Sequence, residues 1–339
     1  MSRERSAMKT LLLSMEDVQQ VLSMRSVIDA VKEGYLAFTQ GKVQQPDIVS
    51  LEVPECNGET DIKSCYNGLN RRISVKIASG FYNNGKTNTM PTMIGMIQLF
   101  DGETGALLCV MDGSLITGIR TGAAGAVSAE YLARKDAKTV CVIGGGGQAR
   151  MQVYGLCEVR PIEKVQVFSP YPAELPAYRE EVERTAGVPV QICDTLEAAL
   201  EGADIVVSTT PAKHYLVPAK LISKGTHIIA VGADMAGKNE WDPKVFWGAK
   251  IVNDSIAQCV SRGETRNALL AGVITEGDIY AEIGELVAGG KPGRTSDEEI
   301  TIFDTTGMAI QDNMTAVKVY ELARERGLGT WFEFLKGEG

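Results

Sequence analysis

The chain is poor in metal-binding residues. Its 339 residues hold only two histidines, His214 and His227, and neither stands in an H-E-x-x-H motif or beside a carboxylate cluster. A metal-dependent mechanism therefore has no ligands at a recognisable spacing, so no metal site is expected and each histidine reads as structural. Paired cysteines are missing too. The seven cysteines, at positions 56, 65, 109, 141, 157, 193 and 259, are odd in number and contain no C-x-x-C. That argues against a secreted disulfide framework or a zinc knuckle and leaves reduced, mostly buried thiols. Positive charge is not in excess, since the formal net charge is −9. A nonspecific nucleic-acid or anionic-membrane surface is thus disfavoured, while a local basic pocket for a small anion is still allowed. Nor is there a long apolar run near the start. Leu11 to Leu13 precede Glu16 and Asp17, too short a stretch for a signal-peptide core or a membrane span, and the cytoplasm is the expected compartment. With 44% hydrophobic and 23% charged residues, the chain is long enough for two globular domains and a small partner.

What is present is an apolar strand that runs into a glycine loop. Thr139 to Ala149 reads TVCVIGGGGQA and fits G-x-G-x-x-A at Gly144, Gly146 and Ala149. Only glycine allows so tight a turn and brings backbone against a pyrophosphate, while a helix starting near Gln148 directs free N–H groups at the anion. The bland alternative is a glycine-rich turn in some other α/β crossover. Context favours the dinucleotide site, because Val140, Val142 and Ile143 precede the glycines and Met151, Val153, Tyr154 and Leu156 follow at helical spacing.

Along the chain, Ser14 and Ser23 sit where N-caps would, and Val27, Val31, Tyr35 and Phe38 recur at helical spacing until Gly41; the chain is expected to open with helix. From Ile48 to Met111 short β-branched or alternating runs are punctuated by turn signals at Pro54 to Glu59, Asn83-Asn84-Gly85, Asp101-Gly102 and Gly105, the pattern of an antiparallel sheet. Thr117 to Leu132 fits a closely packed helix of small residues. After Ala149, strands at Val165 to Phe168, Val190 to Ile192, Ile205 to Thr209, His227 to Val231, Ile251 to Val252 and Ile300 to Phe303 alternate with helical segments. That rhythm predicts a Rossmann-type parallel sheet beside a smaller α+β domain, an α/β protein closed by a helix from Met308 to Ala323 that returns to the first domain.

Several polar residues could carry chemistry. A dinucleotide fold usually ends its second strand with an acid for the ribose hydroxyls, or with arginine for a 2′-phosphate. Here that place is held by Ser169, 25 residues past Gly144, so the cofactor reads as NAD(P), leaning slightly to NAD because no arginine follows. Arg120, among small residues in Thr117-Gly118-Ile119-Arg120-Thr121, could grip a carboxylate bidentately or form an interdomain salt bridge. Lys76 interrupts the apolar strand Ile73 to Ala78; an exposed strand face is the cheaper explanation and a buried anion the other. Asp234 follows the strand Ile228 to Val231, at the sheet edge where ligands bind. It could move a proton or cap the next segment.

Together these residues resemble the ornithine cyclodeaminase and mu-crystallin family over nearly the whole chain. The markers are Val75-Lys76, Met90-Pro91-Thr92, Asp112-Gly113 with Leu115 and Thr117, Arg120-Thr121, Gly144 to Ala149, Val231-Gly232-Ala233-Asp234 with Lys238, and Phe303-Asp304-Thr305-Thr306-Gly307. The resemblance implies a homodimer in which residues 1–118 with 312–339 form the substrate and dimerisation domain and residues 119–311 bind the dinucleotide. It implies that Lys76 and Arg120 hold the carboxylate of a small amino or imino acid, that Asp234 is the catalytic acid/base, and that Thr92, Thr121, Gly144, Gly146, Gly147, Gln148, Ser169, Thr209, Lys238 and Thr305 contact cofactor. Ornithine-cyclising relatives carry a further arginine on the first strand, whereas Gly41 to Asp61 contains only Lys42 as a basic residue. Lys63 on the next strand is a candidate replacement, and its charge would repel the side-chain ammonium of ornithine or lysine. The expected function is a ketimine reductase or amino acid dehydrogenase. The alternatives are an ornithine cyclodeaminase with catalytic NAD and a nonenzymatic NAD(P)-dependent binding protein.

Overall fold

The computed structural model describes residues 9–84 and 90–334; Gly85 of the Asn83-Asn84-Gly85 turn signal lies outside them. The chain divides into two compact units, Met1–Arg120 with Met308–Gly339, and Thr121–Gly307.

The first unit is built on a mixed sheet of β1 (Lys9–Leu13), β2 (Val43–Gln44), β3 (Val49–Val53), β4 (Gly58–Asn67), β5 (Arg72–Phe81), β6 (Met93–Asp101), β7 (Leu107–Asp112) and β16 (Thr330–Glu333). The strand order is β16-β1-β7-β6-β5-β4-β2, with β3 also paired to β4. β1 joins β7 in parallel and the other pairs are antiparallel, in agreement with the turn-punctuated pattern from Ile48 to Met111. Leu11, Leu13, Ile97, Leu99 and Met111 on one face pack with Ala316, Val319 and Tyr320 of the last helix, Ala309–Arg326.

Ser14 and Ser23 do cap the helices Met15–Val21 and Met24–Thr39, each accepting a hydrogen bond from a backbone N–H three residues on. The first element among the described residues is nevertheless the strand β1 rather than a helix. Leucine has good helical propensity, so Leu11 to Leu13 become a strand only through pairing with β7 and β16, far away in sequence. The helix expected from Thr117 begins at Ser114, where Asp112 Oδ1 accepts the Leu115 N–H at 2.8 Å.

The second unit holds β8 (Thr139–Ile143), β9 (Lys164–Phe168), β10 (Val190–Ile192), β11 (Ile205–Ser208), β12 (His227–Ala230), β13 (Lys250–Asn253), β14 (Ile279–Glu282) and β15 (Thr301–Asp304). All pairs are parallel, in the order β10-β9-β8-β11-β12-β15-β13-β14. The order reverses between β8 and β11, the place where such sheets open a ligand crevice. Every residue of β11, β12 and β15 is buried, which explains why these strands read as continuous apolar runs. His227 donates or accepts between Ser128 Oγ at 3.1 Å and Thr301 Oγ1 at 2.9 Å. Burial, then the field of Arg294, pushes its imidazole down to about 3, so it is a neutral structural group.

Candidate functional site

In the first unit a cation cluster forms around one acid. Lys76 lies on β5 directly between Lys63 on β4 and Ile97 on β6, so all three side chains share one face. That face is covered: Lys76 is 2% exposed and Arg120 5%. The exposed-face explanation of Lys76 is therefore corrected, and the buried anion is Asp312 of the helix Ala309–Arg326. Lys76 Nζ stands 2.8 Å from Asp312 Oδ2, and Arg120 Nε donates to Asp312 Oδ1 at 3.0 Å. Arg120 Nη1 also donates to Gln311 Oε1 at 2.8 Å, and Lys76 Nζ reaches Thr117 Oγ1 at 3.3 Å. Burial, and next the field of Arg120, push the Lys76 ammonium down to about 7 against the pull of Asp312. Burial alone would raise the Asp312 carboxyl, but Arg120, Lys76 and Lys63 together hold it below its ordinary value. Two buried cations share one carboxylate, which leaves the cluster positive and suited to a second, incoming carboxylate.

In the second unit the glycine loop follows β8 at the switch point. Gly144 has φ +108°, a conformation that excludes side chains, and a Cβ there would lie 2.9 Å from Thr209 Oγ1. The helix Gly147–Val159 begins immediately after the loop. At Gly146 and Gly147 an added Cβ would meet nothing within 4 Å, so the helix N-terminus faces open space, where its first-turn N–H groups can donate to an anion. Gln148 Oε1 is buried without a hydrogen-bond partner among the described residues. The open backbone suits a dinucleotide pyrophosphate, and Gln148 Oε1, an acceptor, suits a donor such as a cofactor hydroxyl. Thr209 closes the crevice from β11, its N–H and Oγ1 held on Ile143 O at 3.0 and 3.3 Å.

Asp234 lies in the loop after β12, half-exposed, with its Oδ1 2.5 Å from Lys238 Nζ. This loop is braced from beneath by Glu240, which is fully buried. Its carboxylate accepts hydrogen bonds from Ser208 Oγ at 2.8 Å, the Thr210 N–H at 2.5 Å and the Gly232 N–H at 3.0 Å. It thereby ties together the chain leaving β11 and the chain leaving β12. Burial raises the Glu240 carboxyl to about 7 against these hydrogen bonds. Glu264 accepts the Glu240 N–H at 2.5 Å, and burial raises its own carboxyl to about 8. Thr305 is buried and its hydroxyl donates to Asp254 Oδ2 at 2.7 Å.

The model of the ornithine cyclodeaminase/mu-crystallin family matches residues 8–327. The chain belongs to that family. Alanine dehydrogenase of Archaeoglobus fulgidus is 37% identical over 329 residues, 97% of this chain and 100% of that protein. Among solved structures, Thermococcus litoralis Δ1-pyrroline-2-carboxylate reductase in complex with NADH and L-proline superposes with a TM-score of 0.92 at 37% identity, covering 95% of this chain and 99% of that one. An archaeal alanine dehydrogenase dimer with bound NAD gives 0.91 at 36% identity, over 97% and 100%.

For this member of the family, sequence reasoning overlooked Asp312, Gln311 and Glu240. A signal existed for the first two: Gln311-Asp312-Asn313 is a polar triplet inside a helix, and all three residues are buried. Thr92, in the first unit, is placed by its carbonyl accepting the Phe81 N–H at 2.8 Å. In the second unit Thr121 accepts the Gln152 side-chain amide at 2.8 Å through its carbonyl, and Ser169 Oγ accepts the Tyr171 N–H at 3.0 Å. Among the described residues no group of three or more His, Cys, Asp and Glu side chains is placed to hold a metal ion.

Proposed function

We propose that the protein is an NAD(P)-dependent oxidoreductase acting on the C–N bond of a small amino or imino acid, of the ketimine reductase or amino acid dehydrogenase type. The observation that carries this reading is the buried pair Lys76 and Arg120 sharing the single carboxylate of Asp312. The substrate carboxylate binds there, on the Arg120 guanidinium and the Lys76 ammonium, with Lys63 adding to the positive field. A charge at Lys63, in register with Lys76, disfavours the terminal ammonium of ornithine and so supports the reductase over the cyclodeaminase. In the second unit, residues 121–307, the backbone of Gly144, Gly146 and Gly147 with Gln148, Ser169, Thr209, Lys238 and Thr305 holds the dinucleotide, and Thr92 and Thr121 add contacts. A nicotinamide bound there supplies or accepts the hydride. Asp234 takes a proton from the amine during oxidation and returns one to the imine nitrogen during reduction, and Lys238 fixes the position of its carboxylate.

The working form is a homodimer built on the first unit. The face of its sheet opposite Lys76 carries the cross-strand row Val49, Ile62, Ile77 and Met96, and a second row that begins with Leu51 and ends with Ile94. Val49 and Leu51 are each 55% exposed, a surface that an apolar partner face would cover. Free thiols, most of them buried, fit a cytoplasmic setting, and among the described residues no helix is long and apolar enough to cross a membrane.

The test is turnover. NADH or NADPH should be consumed with pyrroline or piperideine carboxylates, or with pyruvate and an amine. Ammonia and proline released from ornithine with NAD, without net reduction, would replace this reading by the cyclodeaminase; tight cofactor binding without turnover on a broad panel would replace it by a binding protein.

A further inference from the structure

Ser169, at the end of β9, leaves the usual ribose-selecting position without a charge. The structure supplies one from further along the chain. Glu174 immediately precedes the helix Leu175–Ala186. Its Oε1 accepts the Gly145 N–H of the glycine loop at 3.2 Å and lies 3.5 Å from Ser169 Oγ. A Cβ built on Gly145 would stand 3.1 Å from both Glu174 Cγ and Glu174 Oε1, so the acid is packed against the loop. Its carboxylate therefore borders the space between the pyrophosphate-binding turn and the end of the second strand of the parallel sheet. In a dinucleotide fold the adenosine ribose sits in that space.

We propose that Glu174 is the residue that selects NAD over NADP. Its free carboxylate oxygen accepts the ribose hydroxyls of NAD, and the same negative charge repels the 2′-phosphate of NADP. Arg150 does not offset that charge for a phosphate. Its Nη1 donates to the Gly145 carbonyl at 2.8 Å, its Nε is 2.7 Å from Glu181 Oε2, and its guanidinium lies 5.3 Å from the centre of the Tyr178 ring. The selection rests on the dinucleotide reading of the second unit and assigns the cofactor that reading leaves open.

The experiment measures dissociation constants of NADH and NADPH for the full-length protein by cofactor fluorescence, independent of turnover, for the parent chain, Glu174→Gln and Glu174→Ala. The parent should bind NADH at least about tenfold tighter than NADPH. Glu174→Gln keeps an acceptor for the Gly145 N–H while removing the charge, and should bring the ratio to within about threefold, chiefly by tighter NADPH binding. Raising the salt concentration should narrow the ratio in the parent and leave it unchanged in Glu174→Gln. Equal affinities in the parent, or a ratio preserved in both variants with the fold intact by circular dichroism, would overturn the assignment. Failure of the parent to bind either dinucleotide would instead remove the dinucleotide reading, and the assignment with it.

Discussion

Asp312→Asn is the most revealing single change in the first unit. The substitution keeps shape and volume but removes the one negative charge that Lys76 and Arg120 share, with Lys76 and Asp312 side chains each 2% exposed and Arg120 6%. Breaking a buried pair by removing one partner costs about 3–5 kcal/mol, because the remaining charge stays desolvated without compensation. For a unit of this size that corresponds to a fall in Tm of roughly 6–20 °C. Lys76 offers a partial escape. Its ammonium is already pushed down to about 7 with Asp312 pulling the other way, so without that pull it sheds its proton at neutral pH. Arg120 has no such route, since a guanidinium stays charged. Small carboxylates such as pyruvate or acetate should therefore rescue the variant, raising its Tm by more than they raise that of the parent. The double variant Lys76→Met/Asp312→Asn should regain part of the loss. The assay is a thermal melt at pH 7.5 with and without added carboxylate. A single variant melting within about 2 °C of the parent, or gaining no more from carboxylate than the parent does, would refute the picture of a cluster short of negative charge.

Asp234→Ala should lower kcat by about 10²–10⁴-fold with NADH affinity largely kept, as expected for a proton-transfer group; near-normal kcat removes Asp234 from the chemistry. Gly146→Ala should leave Tm unchanged, because a Cβ there meets nothing within 4 Å, yet weaken dinucleotide binding at least about tenfold; unaltered affinity would contradict the cradle. Glu240, Glu264 and Asp304 have folded-state carboxyls raised to about 7, 8 and 6, all by burial. The folded chain thus binds more protons than the unfolded one as pH rises from about 4.5, and urea-determined stability should fall between pH 5 and 8, by up to about 1.4 kcal/mol per unit for each group; a flat or rising profile refutes it. Lys76 acts in the opposite sense. Its folded value is depressed, so its own contribution to stability rises with pH above about 7. Affinity for a carboxylate substrate should decline over the same range and binding should take up a proton, which calorimetry in two buffers of different ionisation enthalpy can check.

Local chemistry made much of the molecule legible. The caps at Ser14 and Ser23, the apolar strand ahead of Gly144 and the alternation of strand and helix after Ala149 are short-range signals, and the structure realises each of them. β1 and β14 were not legible. β1 is decided by pairing across more than ninety residues, and β14 is a four-residue strand whose partner β13 shifts register.

The amino-acid order alone determined the glycine turn, because positive φ and close backbone approach admit only one residue type, and it determined the parallel sheet, because strands buried on both faces must be apolar throughout. Only the tertiary structure decided that Lys76 is buried rather than exposed. That outcome depends on Asp312 arriving from the far end of the chain to offset the cost of desolvating a cation, and no local pattern around residue 76 encodes that arrival. The same holds for Glu174 and Glu240, whose roles come from which backbone N–H groups the folded chain places against their carboxylates.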